Sequence, residues 1–150
     1  MSIVFIGSDH RGYQLKQFLK EWLKSHEYIC QDVGNSKYQI DDDYTDFAIK
    51  TAEKTVANKG FGVVICGSGV GVCIAANKVR GARAALCTNV KQARLAREDD
   101  NANILCLGSD LIKTEEAEQI LEIFLTTMFS SLERHVRRLD KINKYETANN

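Results

Sequence analysis

Short apolar runs alternate along the chain with longer amphipathic stretches. The runs cover residues 3–7, 28–33, 62–66, 82–87 and 103–107, and most lead into Gly or Ser. Their brevity and β-branched content predict parallel strands buried on both faces. Between the first two, Leu15, Phe18, Leu19, Trp22 and Leu23 keep the i, i+3, i+4, i+7, i+8 spacing of one helical face. Ala117, Ile120, Leu121, Phe124 and Met128 repeat that pattern near the other end. A further helix is predicted over 43–57 with Asp43 as its cap, and shorter ones over 68–78 and 90–98. Leu132, Val136 and Leu139 mark a last helix after a break at Ser130-Ser131. The alternation predicts an α/β fold: a doubly wound, five-stranded parallel sheet with helices on both faces and a C-terminal helix.

At 150 residues, the chain is expected to form a single domain, 1–150, with a core large enough to need no metal or disulfide. Lys plus Arg and Asp plus Glu number 20 each, so the chain lacks the basic footprint of a nucleic-acid binder. No apolar stretch is long enough to span a bilayer. Residues 1–7 lack a basic n-region and a cleavage site, so they are expected to form a strand rather than a signal peptide. Five cysteines, at positions 30, 66, 73, 87 and 106, show neither CxxC pairing nor Cys/His metal spacing, and no metal site is expected. Cys30, Cys73, Cys87 and Cys106 read as buried free thiols of a reducing, cytoplasmic compartment.

Doubly wound sheets bind ligands beyond the carboxyl ends of their strands, near the point where the strand order reverses. The residues to inspect are therefore Ser8-Asp9-His10-Arg11-Gly12, Cys66-Gly67-Ser68-Gly69-Val70-Gly71 and Gly108-Ser109-Asp110. The glycines at 67, 69 and 71 let backbone approach a ligand closely. The spacing is neither GxGxxG nor a Walker loop, which argues against a nucleotide site. A thiol at Cys66, just before a helix start, sits where N–H groups favour a thiolate and can also hold an oxyanion. That combination suits proton abstraction next to a carbonyl, with the Ser68 hydroxyl shuttling a proton between oxygens. The competing reading is one more buried thiol beside a tight turn. His10 either caps the first helix or touches ligand. His26 and His135 read as members of solvated faces. Arg134 and Arg138 share a helical face and could grip a phosphate, or could simply pair with Glu133 and Asp140.

Taken together, these motifs resemble the type B ribose-5-phosphate isomerase family, which also includes allose-6-phosphate isomerases and relatives of galactose-6-phosphate isomerase subunits. The resemblance rests on the Asp9-His10 segment, the Cys66–Gly71 loop, Ala75-Ala76-Asn77-Lys78, Asn101-Ala102-Asn103 and Arg134-His135, in order along nearly the whole chain. It implies a flavodoxin-like, Rossmann-like sheet and a homodimer or homotetramer with active sites at subunit interfaces. It also implies cofactor-free interconversion of D-ribose 5-phosphate and D-ribulose 5-phosphate, a step of the non-oxidative pentose phosphate branch. Cys66 would be the base, Ser68 the proton shuttle, and Asp9, His10, Tyr44, Gly67, Gly69, Gly71 and Asp100 substrate contacts, with Arg134 and Arg138 on the phosphate. Three positions depart from the family pattern. Asp99-Asp100 stand where members often carry His-Asn, and Asp110 stands where many carry an arginine. Ring opening then falls to Asp99 or His10, and His10 is favoured because imidazoles titrate near neutrality. Two alternatives stay open: a hexose-phosphate isomerase acting on a sugar such as allose 6-phosphate, and a non-catalytic sugar-phosphate-binding subunit.

Overall fold

The computed structural model describes residues 2–149. Five strands, β1 (Ile3–Ser8), β2 (Ile29–Gly34), β3 (Phe61–Cys66), β4 (Ala84–Leu86) and β5 (Ile104–Gly108), form one parallel sheet. Their order is β2-β1-β3-β5-β4. The doubly wound parallel sheet expected from the apolar runs is thus present. Its last two strands are exchanged relative to the 2-1-3-4-5 order of flavodoxin. β4 is shorter than its apolar run. The Ala82 N–H turns back to the Val79 carbonyl, and the Arg83 N–H donates to the Asn103 side chain instead of a ladder partner.

The connecting helices are α1 (Tyr13–Ser25), α2 (Tyr44–Asn58), α3 (Val70–Ala76), α4 (Val90–Glu98) and α5 (Thr114–Thr126), followed by α6 (Glu133–Asn149). Helices α1, α4 and α5 cover one face of the sheet, and α2 and α3 the other. On the first face Leu19, Leu23, Ile120, Leu121 and Phe124 are buried against Val4, Ile6, Leu105 and Leu107. Each such side chain contributes about 1.5–3 kcal/mol of burial free energy. The second face uses small residues: Ala48, Ala52, Ala75 and Ala76 pack on Val64, Ile104 and Cys106 and let α2 and α3 approach closely.

Several expected boundaries shift. Asp43 occupies the N-cap of α2, but its side chain makes no capping bond. Helix α3 is shorter than 68–78 because Gly69, at φ +77°, turns the chain left-handed just before it. Met128 falls outside α5 and is 81% exposed. The predicted stripe of α6 is also wrong in part. Leu132 precedes the helix and Val136 faces solvent, whereas His135 and Leu139 are buried. His135 therefore does not lie on a solvated face. Helix α6 is tied to the amino ends of the strands: the Ser130 N–H donates to the Glu98 carbonyl at 3.0 Å, and the Glu146 carboxylate accepts from the Gly81 N–H at 3.1 Å.

The chain leaves β1 toward β2, then returns through α2 to β3 on the other side. The carboxyl ends of β1 and β3 therefore flank the crevice where strand order reverses. Because β5 inserts next to β3, the residues after β5 border the same loop.

Candidate active site

The crevice is built by three strand ends. Cys66 is the last residue of β3 and is 5% exposed. Its sulfur accepts the Gly69 N–H at 3.1 Å, and the Ser68 hydroxyl accepts the Val70 N–H at 3.2 Å. The first N–H groups of a helix have no partner within it. Here the two side chains expected to carry the chemistry take the N–H groups at the start of α3. Its neighbours hold the loop tightly. A Cβ on Gly69 would meet Leu86 and the Leu107–Gly108 backbone, and one on Gly108 would meet the Ser68 backbone. A Cβ on Gly71 would meet the Tyr44 ring at 2.6 Å, which places Tyr44, the first residue of α2, over the loop. The Ser109 N–H donates to the Cys66 carbonyl at 2.9 Å, and the Ser109 hydroxyl lies 3.2 Å from the same oxygen.

Across the crevice, Asp9 is buried and its carboxylate accepts the Gly12 N–H at 3.0 Å. His10 contacts Asp42 twice. One carboxylate oxygen accepts the His10 backbone N–H at 2.9 Å and lies 2.8 Å from the ring Nδ1. The other carboxylate oxygen accepts the Asn35 amide at 2.6 Å, and the Asn35 carbonyl accepts the Lys16 ammonium at 2.5 Å. Lys16 is fully buried, and that burial pulls its pKa below the ordinary lysine range despite Asp32 beside it. A carboxylate on Nδ1 fixes the imidazole tautomer and leaves Nε2 as the reactive nitrogen. Asp42 is a partner of His10 that the sequence reading did not single out. Nothing in the run Asp41-Asp42-Asp43 singles it out before its pairing with His10, 32 positions away, is known.

The other thiols divide clearly. Burial pushes Cys30 up to about 11 and Cys87 up to about 12, and raises Cys106 well above the ordinary thiol range. Cys73 behaves differently: a hydrogen bond with the Cys106 thiol, aided by the Leu86 backbone and Asn77, brings it down to about 7. Its sulfur points at the Ala84 carbonyl, 3.5 Å away on β4, not at Ser68. Cys30 and Cys73 are half-buried rather than fully buried as expected, and all five cysteines are free.

The remaining expected site residues are not brought to this crevice within one chain. Helix α4 runs from the carboxyl end of β4 back to the amino end of β5, so Asp99 and Asp100 lie at the far end of the sheet from Cys66. Arg134 and Arg138 are exposed on the first turns of α6, at that same end. There the Asp99 carboxylate lies 3.7 Å from His135 Nε2, whose Nδ1 is 2.7 Å from the Ser130 hydroxyl.

A probable ribose-5-phosphate isomerase B of Mycoplasma genitalium is 47% identical over 145 residues, spanning 95% of this chain and 95% of that protein. The ribose-5-phosphate isomerase B of Mycobacterium tuberculosis is 46% identical over 144 residues, 95% of this chain and 89% of that one. Among solved structures, the Mycoplasma genitalium ribose-5-phosphate isomerase B with bound ribulose-5-phosphate superposes with a TM-score of 0.94 at 46% identity, covering 97% of this chain and 96% of that one. The type B ribose 5-phosphate isomerase of Trypanosoma cruzi gives 0.95 at 38% identity, over 100% and 99%. Residues 4–142 match the model of the Ribose/Galactose Isomerase family, and the chain belongs to that family.

Proposed function

We propose that the protein interconverts D-ribose 5-phosphate and D-ribulose 5-phosphate through an enediolate. The observation that carries this reading is the Cys66 sulfur set against the Gly69 N–H, in a glycine loop bordered by Asp9, His10 and Tyr44. His10, oriented by Asp42, takes the anomeric hydroxyl proton and delivers it to the ring oxygen as the bond from that oxygen to C1 breaks, which frees the aldehyde. Cys66, as thiolate, removes the C2 proton, and backbone N–H groups of the 67–71 loop stabilise the charge that develops on O1. Ser68 relays the O2 proton to O1, and the Cys66 thiol returns its proton to C1, leaving the ketose. The residues in these roles belong to one chain and are all at the crevice.

The test is turnover of ribose 5-phosphate beside allose 6-phosphate. Faster turnover of the pentose supports the reading. Preference for the hexose moves the substrate class, and sugar-phosphate binding without turnover makes the chain a binding subunit.

Asp99, Asp100, Arg134 and Arg138 lie at the other end of the sheet, so the same reading requires a second copy to bring its α6 arginines to the phosphate of this crevice. Cys66→Ala and Arg138→Ala chains, each nearly inactive alone, are expected to regain about a quarter of wild-type activity when unfolded and refolded together, since a mixed dimer has one intact site. No recovery in the mixture rules out shared sites. Among the described residues no helix is long and apolar enough to cross a membrane, and five free thiols suit a reducing cytoplasm.

His10→Ala and Asp42→Asn are each expected to lower turnover about a hundredfold, with Asp99→Asn costing far less. If Asp99→Asn alone impairs the enzyme, ring opening belongs to Asp99.

A further inference from the structure

Arg11 follows the Asp9-His10 pair and turns its guanidinium toward the loop that carries Cys66. The contact is close: a Cβ on Gly67 would overlap the guanidinium, so this glycine leaves the space that Arg11 occupies. Both ends of the residue are tied to the segment after β5. The Ser109 hydroxyl donates to the Arg11 carbonyl at 2.9 Å, and the side chain forms an ion pair with Asp110. Asp110 is itself fixed, its N–H donating to the Gly67 carbonyl at 2.9 Å. The Arg11 side chain is nevertheless 56% exposed. It offers five N–H donors in a planar fork, and among the described residues its hydrogen-bond partner is Asp110 alone. Two of the tethers come from positions 98 and 99 residues away, so this arrangement depends on the tertiary fold.

An exposed ion pair by itself stabilises a fold little. Holding a long, rotamer-rich side chain over a catalytic loop has a different benefit, because it removes the ordering cost of binding an anion there. We propose that Arg11 is a phosphate-binding residue of this chain, aimed by Asp110 and presenting its free N–H edge to the dianion of the sugar phosphate. This rests on the isomerase reading for the identity of the sugar phosphate, but not for the presence of an anion site.

The experiment measures KM for ribose 5-phosphate and, separately, binding of inorganic phosphate by calorimetry. Wild type, Arg11→Ala, Arg11→Lys and Asp110→Asn are compared. Arg11→Ala is expected to raise KM and weaken phosphate binding about ten- to a hundredfold, the usual effect of losing a charge-assisted hydrogen bond. Arg11→Lys recovers part of this, since it keeps the charge but not the fork. Asp110→Asn is expected to lower KM several-fold: the amide oxygen still accepts from the guanidinium, while the carboxylate's repulsion of the dianion is gone. Equal weakening in Arg11→Ala and Asp110→Asn would show a structural brace and overturn the proposal, as would unchanged phosphate binding in Arg11→Ala. If the wild-type protein binds phosphate in an Arg11-dependent way but does not isomerise ribose 5-phosphate, the isomerase reading fails and the anion site stands.

Discussion

Cys66→Ala is expected to lower turnover of ribose 5-phosphate about a thousandfold while leaving the binding of the sugar phosphate close to wild type. The size follows from the role. Removing a positioned general base forfeits two to four orders of magnitude, about 3–5 kcal/mol of transition-state stabilisation. Binding is expected to survive because the contacts proposed to hold the sugar come from other residues: the 67–71 backbone, Asp9, Tyr44 and the cations. The substitution is also structurally mild. Cys66 belongs to the smaller core with Ala48, Val64 and Cys106, where losing one sulfur atom costs about 1 kcal/mol. Cys66→Ser provides the matched control, preserving volume while replacing the thiol by a hydroxyl that is far harder to ionise. The two variants should fall together in kcat with intact melting curves. Turnover within tenfold of wild type in either variant would falsify the assignment of Cys66 as the base.

The second large effect is conformational. Gly69→Ala is expected to destabilise the fold by about 2–4 kcal/mol, as read by urea unfolding, and to remove most activity. Gly69 sits at φ +77°, where a side chain is strained. The added Cβ would also lie 2.6 Å from Leu86 and 2.9 Å from the Leu107–Gly108 backbone, which cannot swing aside. Relief requires the loop to move, and that takes the Gly69 N–H off the Cys66 sulfur. The neighbouring glycine marks the contrast. At Gly71 the obstacle is the ring of Tyr44, a side chain 40% exposed and free to rotate outward. A stability loss below about 0.5 kcal/mol for Gly69→Ala would mean that the loop is not braced against β5 as described.

These expectations were reachable from the sequence to different degrees. Strand ends, the glycine loop and the placement of Cys66, Ser68, Asp9 and His10 at one crevice follow from local patterns: buried runs, helical periodicity and turn residues. Pairings across the chain do not. Asp42 reaches His10 through the loop after β2, whose course depends on how α2 recrosses the sheet. The Arg11–Asp110 pair depends on β5 inserting beside β3, an order that alternating strand and helix signals leave undetermined. The burial of His135 was hidden by its neighbours. Leu132, Val136 and Leu139 mark one apolar stripe, yet the chain enters α6 only at Glu133, so the face turned inward is the one with His135 and Leu139.

The Cys73–Cys106 contact bears on how this protein can be probed chemically. Hydrogen bonds hold the half-buried Cys73 thiol below the ordinary thiol range, and thiolates are the species that alkylating reagents attack. Cys73 is thus a second thiol open to maleimides and iodoacetamide, one helical turn from the crevice loop and beside Asn77 and β4. Adduct bulk at that position can displace α3 and with it the loop, so inactivation by such reagents does not identify the base. Labelling studies of Cys66 belong in a Cys73→Ser background, with the modified peptide mapped by mass.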